Sequence, residues 1–319
     1  MTLAAEHWAP CSDRARERND PLVGTGSRGL RWFLIEVAVS WGHNALLDAP
    51  FDRALGRALV RRIEGAGMRP LAIRRTGRRV APASQRWAIV DSRPGHESVV
   101  WGEVTDAAAL LEVPLDGSTG IPSSRPIYCV CTHARHDQCC AVRGRRVVTA
   151  LAEVRPDETW ECSHLGGDRF AGTMVVFPHG LYYGYADDGD PVRIADAFDV
   201  GRIVPERYRG RSSLTHPVQA AQHFAREAFG DERIESFAPI AEEAAETGWR
   251  IRLAGAAAGD VAGAVGVVVE LEEDRSEPLL STCAATRFVR VRQYALRSIS
   301  VDESSDRAGS EKRAPTPPE

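Results

Sequence analysis

One order of predicted elements, a strand followed by a helix and three further strands, occurs twice and limits the fold more than any other feature. The apolar run "LRWFLIEVA" at 30–38 predicts a buried strand. "FDRALGRALVRRIEGAG" at 51–67 has the apolar spacing of a helix that ends at Gly67. Three further strands are predicted at 69–75, 86–92 and 98–105.

The second half of the chain repeats this order. It gives a strand at 126–131, a helix at 140–154, a strand at 159–164, a hairpin at 173–186 that turns at His179 and Gly180, and a short helix near 191–200. Both halves fit a thioredoxin-like unit, so we predict an α/β fold of two such lobes, each a mixed sheet with flanking helices. The stretch 112–126, rich in Pro, Gly and Ser, is the predicted linker.

The remainder predicts a small C-terminal segment. Pro217 stands at the start of an amphipathic helix that ends at Gly230. Strands are then predicted at 249–255, 262–273 and 287–296, and the tail lacks apolar residues. The predicted organisation is an N-terminal thioredoxin-like lobe at 1–115, a second thioredoxin-like domain at 116–230, a small C-terminal α+β segment at 231–300 and a disordered tail at 301–319.

Composition narrows the function classes. A chain of 319 residues with 43% hydrophobic content can bury about two cores without disulfides. It shows neither a signal-peptide pattern nor an apolar run of bilayer length, so we expect a cytoplasmic protein without membrane contact. The net charge of -4 argues against nucleic-acid binding. Seven cysteines in a reducing compartment indicate metal binding or thiol chemistry.

Five of these cysteines lie in "CVCTHARHDQCC" (129–140) and "ECSHLGGDRF" (161–170). Eight residues separate Cys131 from Cys140, enough for a loop to leave the strand and return at the start of the helix, where the helix N-terminus stabilises a thiolate. The second stretch offers His164 and Asp168, with two glycines between them that let the backbone wrap closely around an inorganic group.

Two ligands from each loop suit a 2Fe–2S cluster, in which each iron takes two protein ligands. Zinc is the chemical rival, although paired zinc cysteines are usually two to four residues apart and these are not. Thiol–disulfide exchange is a third possibility, but the C-x-x-C spacing typical of it is missing. Hydrolysis of glycosides needs two paired carboxylates. Because the acidic residues of this chain are scattered, the sequence argues against a glycoside hydrolase.

The stretches "VCTHARHDQCCAVRGRRV" and "WECSHLGGDRFAGTMVVFPHGLYYG" resemble the sucrase/ferredoxin-like family, a branch of the thioredoxin-like 2Fe–2S ferredoxins. "CSDRARERNDPLVGTGSRGLRWFLIE", "RYRGRSSLTHPVQAAQ" and "PLLSTCAATRF" are also similar to bacterial members, so the resemblance covers most of residues 11–290. Fungal members hold their cluster with two cysteines from the first loop and a His-x-x-x-His pair from the second. By position, the resemblance implies Cys131, Cys140, His164 and Asp168 as ligands, with Asp168 replacing the second histidine.

The resemblance implies a non-enzymatic electron carrier whose ferredoxin domain is the second lobe, working between a reductase and an acceptor protein. Structural zinc binding and thiol–disulfide chemistry are the alternatives. Cys162, two residues before His164 on the same strand face, is the alternative to Asp168 as fourth ligand.

Other residues of the two stretches are expected to have structural roles. Cys129 is predicted to be a core thiol, and Cys139 to lie beside a ligand without binding the same iron. The remaining expectations are that His133 and His136 orient the loop, that Asp137 caps the helix, and that Cys11 and Cys283 are single packing thiols.

Overall fold

The first lobe is built around two parallel strands joined by an amphipathic helix. The computed structural model describes residues 9–48, 52–77, 83–255 and 266–302. A short helix precedes the lobe, and the elements follow in this order: α1 (Cys11–Glu17), β1 (Arg31–Glu36), α2 (Arg53–Gly65), β2 (Met68–Arg74), β3 (Gln85–Asp91), β4 (Ser98–Val104) and β5 (Ile121–Ser123). The side chain of Asp52 caps α2 by accepting a hydrogen bond from the backbone N–H of Leu55.

The second lobe begins with the same order, a strand, a helix and three strands, and then adds a helix before its last strand. Its elements are β6 (Ile127–Cys131), α3 (Gln138–Val154), β7 (Thr159–Cys162), β8 (Met174–Phe177), β9 (Leu181–Tyr183), α4 (Val192–Asp199) and β10 (Tyr208–Arg211). The predicted hairpin is the pair β8 and β9, and its turn contains His179 and Gly180 as expected.

The two lobes form one continuous ten-stranded sheet, in the order β10-β9-β8-β6-β7-β2-β1-β3-β4-β5. In each lobe the first strand pairs in parallel with the strand after the helix and antiparallel with the next one. The lobes meet where β2 and β7 pair antiparallel, with Ile73 opposite Cys162 and Arg74 opposite Glu161. The predicted mixed α/β fold is therefore confirmed, and two copies of one topology are joined edge to edge.

Both faces of the sheet are buried, which explains the continuous apolar runs. Neighbouring residues of a strand point to opposite faces. In β1, Phe33 belongs to a cluster that contains residues of α2, whereas Trp32 belongs to a cluster on the other face. In β6, Tyr128 likewise packs with residues of α3 and α4, whereas Cys129 joins the same cluster as Trp32. One apolar layer thus extends across both lobes and contains most of the cysteines.

The C-terminal part forms a separate four-stranded antiparallel sheet against a helix. Its elements are α5 (His216–Phe229), β11 (Pro239–Ala245), β12 (Gly248–Ala254), β13 (Gly266–Arg275) and β14 (Arg292–Asp302). Pro217 lies in the first turn of α5 and Gly230 ends it with a positive φ of 66°, as the sequence predicted, and Thr215 caps its start. A mixed cluster of α5 and strand residues forms the core of this part, including Val218, Ala221, Ile251 and Val269.

Several elements differ from the sequence predictions. The elements α1, β5, β10 and β11 were not predicted, and β5 lies inside the predicted linker at 112–126 and pairs with β4. The last strand was predicted at 287–296 but begins at Arg292 and runs to Asp302. Most of the predicted tail, residues 303–319, and residues 262–265 of a predicted strand lie outside the described residues. The domain boundaries at 115 and 230 stay predictions.

In the described part of the chain, every helix falls short of the length and apolar character that a bilayer crossing requires.

Candidate metal centre

All seven cysteines of the chain converge in one region. Six of them lie in the apolar layer that covers one face of the sheet across both lobes: Cys11, Cys129, Cys131, Cys139, Cys140 and Cys162. Cys283, from the loop before β14, is partly buried and packs against this layer. All seven are free thiols. Residues far apart in sequence therefore place an unusual density of soft metal ligands in one place.

The first ligand loop, 132–137, is held from both sides. The Asp137 side chain caps α3 by accepting a hydrogen bond of 2.8 Å from the backbone N–H of Cys139, which confirms the predicted cap. At the other end, Thr132 donates a hydrogen bond of 2.9 Å to Glu161. Glu161 forms a buried ion pair of 2.6 Å with Arg74, so this loop is tied to the junction between the lobes.

The second ligand loop follows β7 and depends on two glycines. Gly166 and Gly167 have φ angles of 92° and 82°, which residues with a side chain rarely adopt. A Cβ atom on Gly167 would meet the guanidinium of Arg209, and one on Gly166 would meet the Ser27 hydroxyl. The glycines were predicted to make room for an inorganic group, but the space that they leave is taken by these two side chains.

The structure brings the four predicted ligands together. Oδ1 of Asp168 lies 3.4 Å from Sγ of Cys140 and 3.0 Å from Nδ1 of His164. The latter contact is outside hydrogen-bond geometry, and within the described residues this buried nitrogen has no hydrogen-bond partner. Cys131 interacts with both Cys140 and His164. Two thiols from one loop thus meet an imidazole and a carboxylate from the other.

The protonation states of Cys131 and His164 are linked. Hydrogen bonding with Cys140 and, to a smaller extent, with His164 lowers the pKa of Cys131 to about 6 despite burial. Burial opposes protonation of His164, but its interactions with Asp168 and Cys131 outweigh burial and raise its pKa to about 9. In the metal-free protein, a thiolate and an imidazolium therefore lie side by side near neutral pH. A deprotonated thiol is the form that binds metal.

His136 belongs to the site, although its predicted role was only to orient the loop. Its ring stacks on that of His164 with centroids 3.7 Å apart, and its Nε2 lies 3.7 Å from Oδ2 of Asp168. One ligand atom from each of His136, His164 and Asp168 lies within 4.8 Å of the others, as in a metal site. The sequence signal was its position four residues before Cys140, at the N-terminus of α3. His133 instead contacts the carbonyl oxygen of Gly42, at 2.8 Å.

Cys129 and Cys162 lie next to the four residues but interact with each other. Both are fully buried, as predicted for Cys129, and burial together with hydrogen bonding to Cys129 holds the pKa of Cys162 well above its ordinary value. The choice between Asp168 and Cys162 as fourth ligand stays a prediction. Contact with His164 and Cys140 favours Asp168.

A second group was missed from the sequence. Cys11 and Cys283 pack against the apolar layer as expected, but they are not single thiols, because both lie against Cys139 beside Asp137. Sequence separations of 128 and 144 residues gave no sign of these contacts. They depend on α1 and on the loop before β14, and neither position was predicted.

The fold and the cysteine-rich groups together define a mixed α/β protein with candidate metal-binding sites. A model of the sucrase/ferredoxin-like family matches residues 24–210, which include both lobes and all four predicted ligands, and the chain belongs to this family. Neither a curated protein nor a solved structure gives a significant match.

Proposed function

We propose that this protein binds one 2Fe–2S cluster through Cys131, Cys140, His164 and Asp168 and carries single electrons between a reductase and an acceptor protein. One observation carries the proposal: the two loops bring two thiols against a histidine–aspartate pair, with Asp168 3.4 Å from Cys140 and 3.0 Å from His164. Two ligands from each loop match the two protein ligands that each iron of such a cluster takes.

The donor set fits the cluster chemically. Cys131 has a lowered pKa, whereas hydrogen bonding to Cys131 and burial hold the pKa of Cys140 well above its ordinary value, contrary to the thiolate predicted at the helix N-terminus, so iron binding would release the proton of Cys140. Nδ1 of His164 is buried 3.0 Å from the Asp168 carboxylate but outside hydrogen-bond geometry, so once the ring loses its proton this nitrogen is left for coordination. Replacement of thiolates by histidine on one iron is known for 2Fe–2S centres. Asp168 is the hardest ligand of the set and therefore the weakest match to iron–sulfur chemistry.

When bound, the cluster supplies reversible one-electron chemistry, and the surrounding residues control access to it. Cys131 and Cys140 are each 1% exposed, so solvent is kept from the sulfur side. The side chains of His136 and His164 are each 32% exposed. The histidine edge is therefore where a redox partner would approach, and a ring nitrogen of His164 can exchange a proton with solvent.

We further propose that the protein works in the cytoplasm. All seven cysteines are free, and a reducing compartment keeps thiols in this state. The reductase and the acceptor would be proteins that dock at the exposed histidine edge, without nucleic acid or membrane.

Purification without oxygen tests the proposal. The protein should be reddish brown, lose its visible absorption with dithionite and contain about two irons and two sulfides per chain. A colourless protein with zinc at Cys131 and Cys140 would contradict it in favour of a zinc site. A metal-free protein with a reversible disulfide between these residues would favour thiol exchange instead.

A further inference from the structure

The first turn of α3 presents two neighbouring cysteines to two different places. Successive residues of a helix are rotated by roughly 100°. Cys140 therefore faces Asp168, whereas Cys139 faces Cys11 and Cys283. The side chain of Cys139 takes no part in the proposed cluster site, so its surroundings need a separate explanation.

Three thiols from distant parts of the chain meet at this second place. The Sγ atoms of Cys139 and Cys283 are 3.0 Å apart, those of Cys11 and Cys283 are 3.5 Å apart, and those of Cys11 and Cys139 are 3.7 Å apart. Tetrahedral zinc with bonds of about 2.3 Å to sulfur separates its sulfur ligands by about 3.8 Å. The triangle is therefore close to the size that a single zinc ion requires, after a small outward movement of Cys139 and Cys283.

A carboxylate completes the group. Oδ2 of Asp137 lies 3.7 Å from Sγ of Cys11, and ligand atoms of all four residues lie within 4.8 Å of one another. The same carboxylate accepts hydrogen bonds from the backbone N–H groups of Cys139 (2.8 Å) and Cys283 (2.7 Å). These bonds orient the carboxylate and fix the backbone of two of the cysteines, as supporting interactions do around metal ligands.

The group also has an entry path and nearby positive charge. A surface cavity of about 180 Å³ is lined by Cys139 and Cys283. Arg143 and Arg146 line the same cavity, but Arg143 is already paired with Asp13 and Asp187. Arg146, whose contact with Asp187 is 4.0 Å long, would offset part of the negative charge of three thiolates and a carboxylate.

We propose that Cys11, Cys139, Cys283 and Asp137 form a structural site for one zinc ion, separate from the cluster site. Convergence on one point suits a single ion better than a two-iron cluster, and a carboxylate among the ligands favours Zn²⁺ over the softer Cu⁺. A disulfide would use two of the thiols and leave the third without a function. Cys11 and Cys283 lie outside the family match at 24–210, so the ion would join α1 and the C-terminal part to the second lobe.

The metal content of variants tests this proposal independently of the cluster. Cys140→Ser should lose iron but keep about one zinc per chain, whereas Cys283→Ser should lose zinc but keep iron. Cys283 is the most exposed of the three thiols, so its substitution should leave the fold intact, as far-ultraviolet circular dichroism would check. Cys129→Ser, at a buried thiol outside the group, is the control and should keep both metals.

A second measurement tests the site even when zinc has been lost during purification, because it adds a metal ion back. Cluster-free Cys140→Ser protein, treated with chelator and reductant, should bind one equivalent of Co²⁺ and develop the absorption of tetrahedral cobalt–thiolate coordination. The same protein with Cys283→Ser added should not. Absence of cobalt binding in the first protein would overturn the proposal. It would also be overturned by a Cys139–Cys283 disulfide in protein purified without oxygen.

Discussion

The two lobes share one topology but fill the connection between the first strand and the helix very differently. In the first lobe this connection begins after Glu36, and its residues Trp41, Ala45 and Leu46 are buried in the same core as α2. In the second lobe it begins after Cys131, is short, carries two histidines and an aspartate, and is flanked by cysteines in the strand and in the first turn of the helix. The same backbone arrangement therefore supports an apolar core in one lobe and a candidate metal centre in the other. The polar residues at this connection, together with His164 and Asp168 in the loop after β7, distinguish the second lobe from the first.

The first lobe nevertheless contributes to the site, because its connection packs on the ligand loop of the second. The ring of Trp41 lies edge-on to His133 at 5.5 Å, and His133 contacts the carbonyl oxygen of Gly42. The ring of His43 lies 5.8 Å from that of His136. A lobe without predicted ligands thus holds the loop that carries them. We therefore expect substitutions in either lobe to affect the centre. Those in the second lobe remove ligands, whereas those in the first lobe remove contacts that hold the ligand loop.

The largest effect is expected from the thiols that only the second lobe has. Cys131→Ser or Cys140→Ser should reduce iron content at least about tenfold, because a soft, anionic ligand is replaced by a neutral hydroxyl. Visible absorption and iron analysis of protein purified without oxygen measure this. Cys129→Ser and Cys283→Ser serve as controls and should keep the colour. Equal iron content in all four variants would contradict the ligand assignment.

Two tryptophans of the first lobe can show whether this lobe supports the ligand loop directly or only through the stability of the whole protein. Trp41 and Trp87 are both buried in the first-lobe core, but Trp41 contacts His133 whereas Trp87 stacks on Phe33. Replacing either by Ala should lower the free energy of unfolding by about 3–5 kcal/mol. Only Trp41→Ala should also speed the loss of the cluster under conditions where the protein stays folded.

Time courses of bleaching, compared with urea unfolding of the same variants, distinguish the two effects. If Trp41→Ala and Trp87→Ala bleach equally fast, the first lobe acts on the centre through global stability alone.

Much of the fold could be predicted from local patterns. Strong periodicity located α2, α3 and α5 and the long strands, and polar caps such as Asp137 marked helix starts. β5 has only three residues, and β11, although seven residues long, is mostly exposed and lacks an apolar face, so neither gives a periodic signal and both depend on pairing with a neighbouring strand.

In the candidate centre, too, only residues close together in sequence could be grouped before the structure was known. Residues within one loop, such as Cys131 and Cys140, could be grouped from spacing alone, and the structure brings them close to His164 and Asp168. Cys11 and Cys283 could not be grouped with Cys139, because only the tertiary fold brings them together.

A smaller effect should identify the fourth ligand of the second lobe. If Asp168 binds iron, Asp168→His should keep the cluster and raise its reduction potential by on the order of 100 mV, because a neutral imidazole replaces an anion. Asp168→Ala should lose the cluster or change its spectrum, and Cys162→Ser should do little. Redox titration followed by visible absorption measures these changes. Bleaching by Cys162→Ser together with a harmless Asp168→Ala would transfer the role to Cys162.

The smallest effect concerns the metal-free protein and the charge pair that the first lobe lacks. His164 has a raised pKa of about 9, so its contribution to stability is complete below about pH 6.5 and is lost as pH rises through about 9. Cys131 has a lowered pKa of about 6, so its contribution is complete above about pH 9 and is lost as pH falls through about 6. The two shifts share one contact and do not add.

The free energy of unfolding of the metal-free protein should therefore rise by less than about 1 kcal/mol as pH increases through about 6 and stay at this maximum to pH 9 and above, where the lost contribution of His164 is balanced by that of Cys131. Urea unfolding under reducing conditions, repeated from about pH 5 to about pH 10, measures it. His164→Gln removes the cation and should flatten the maximum, whereas His96→Gln in the loop between β3 and β4 of the first lobe should leave it unchanged. A maximum that persists in His164→Gln would show that the pair of Cys131 and His164 is not its source.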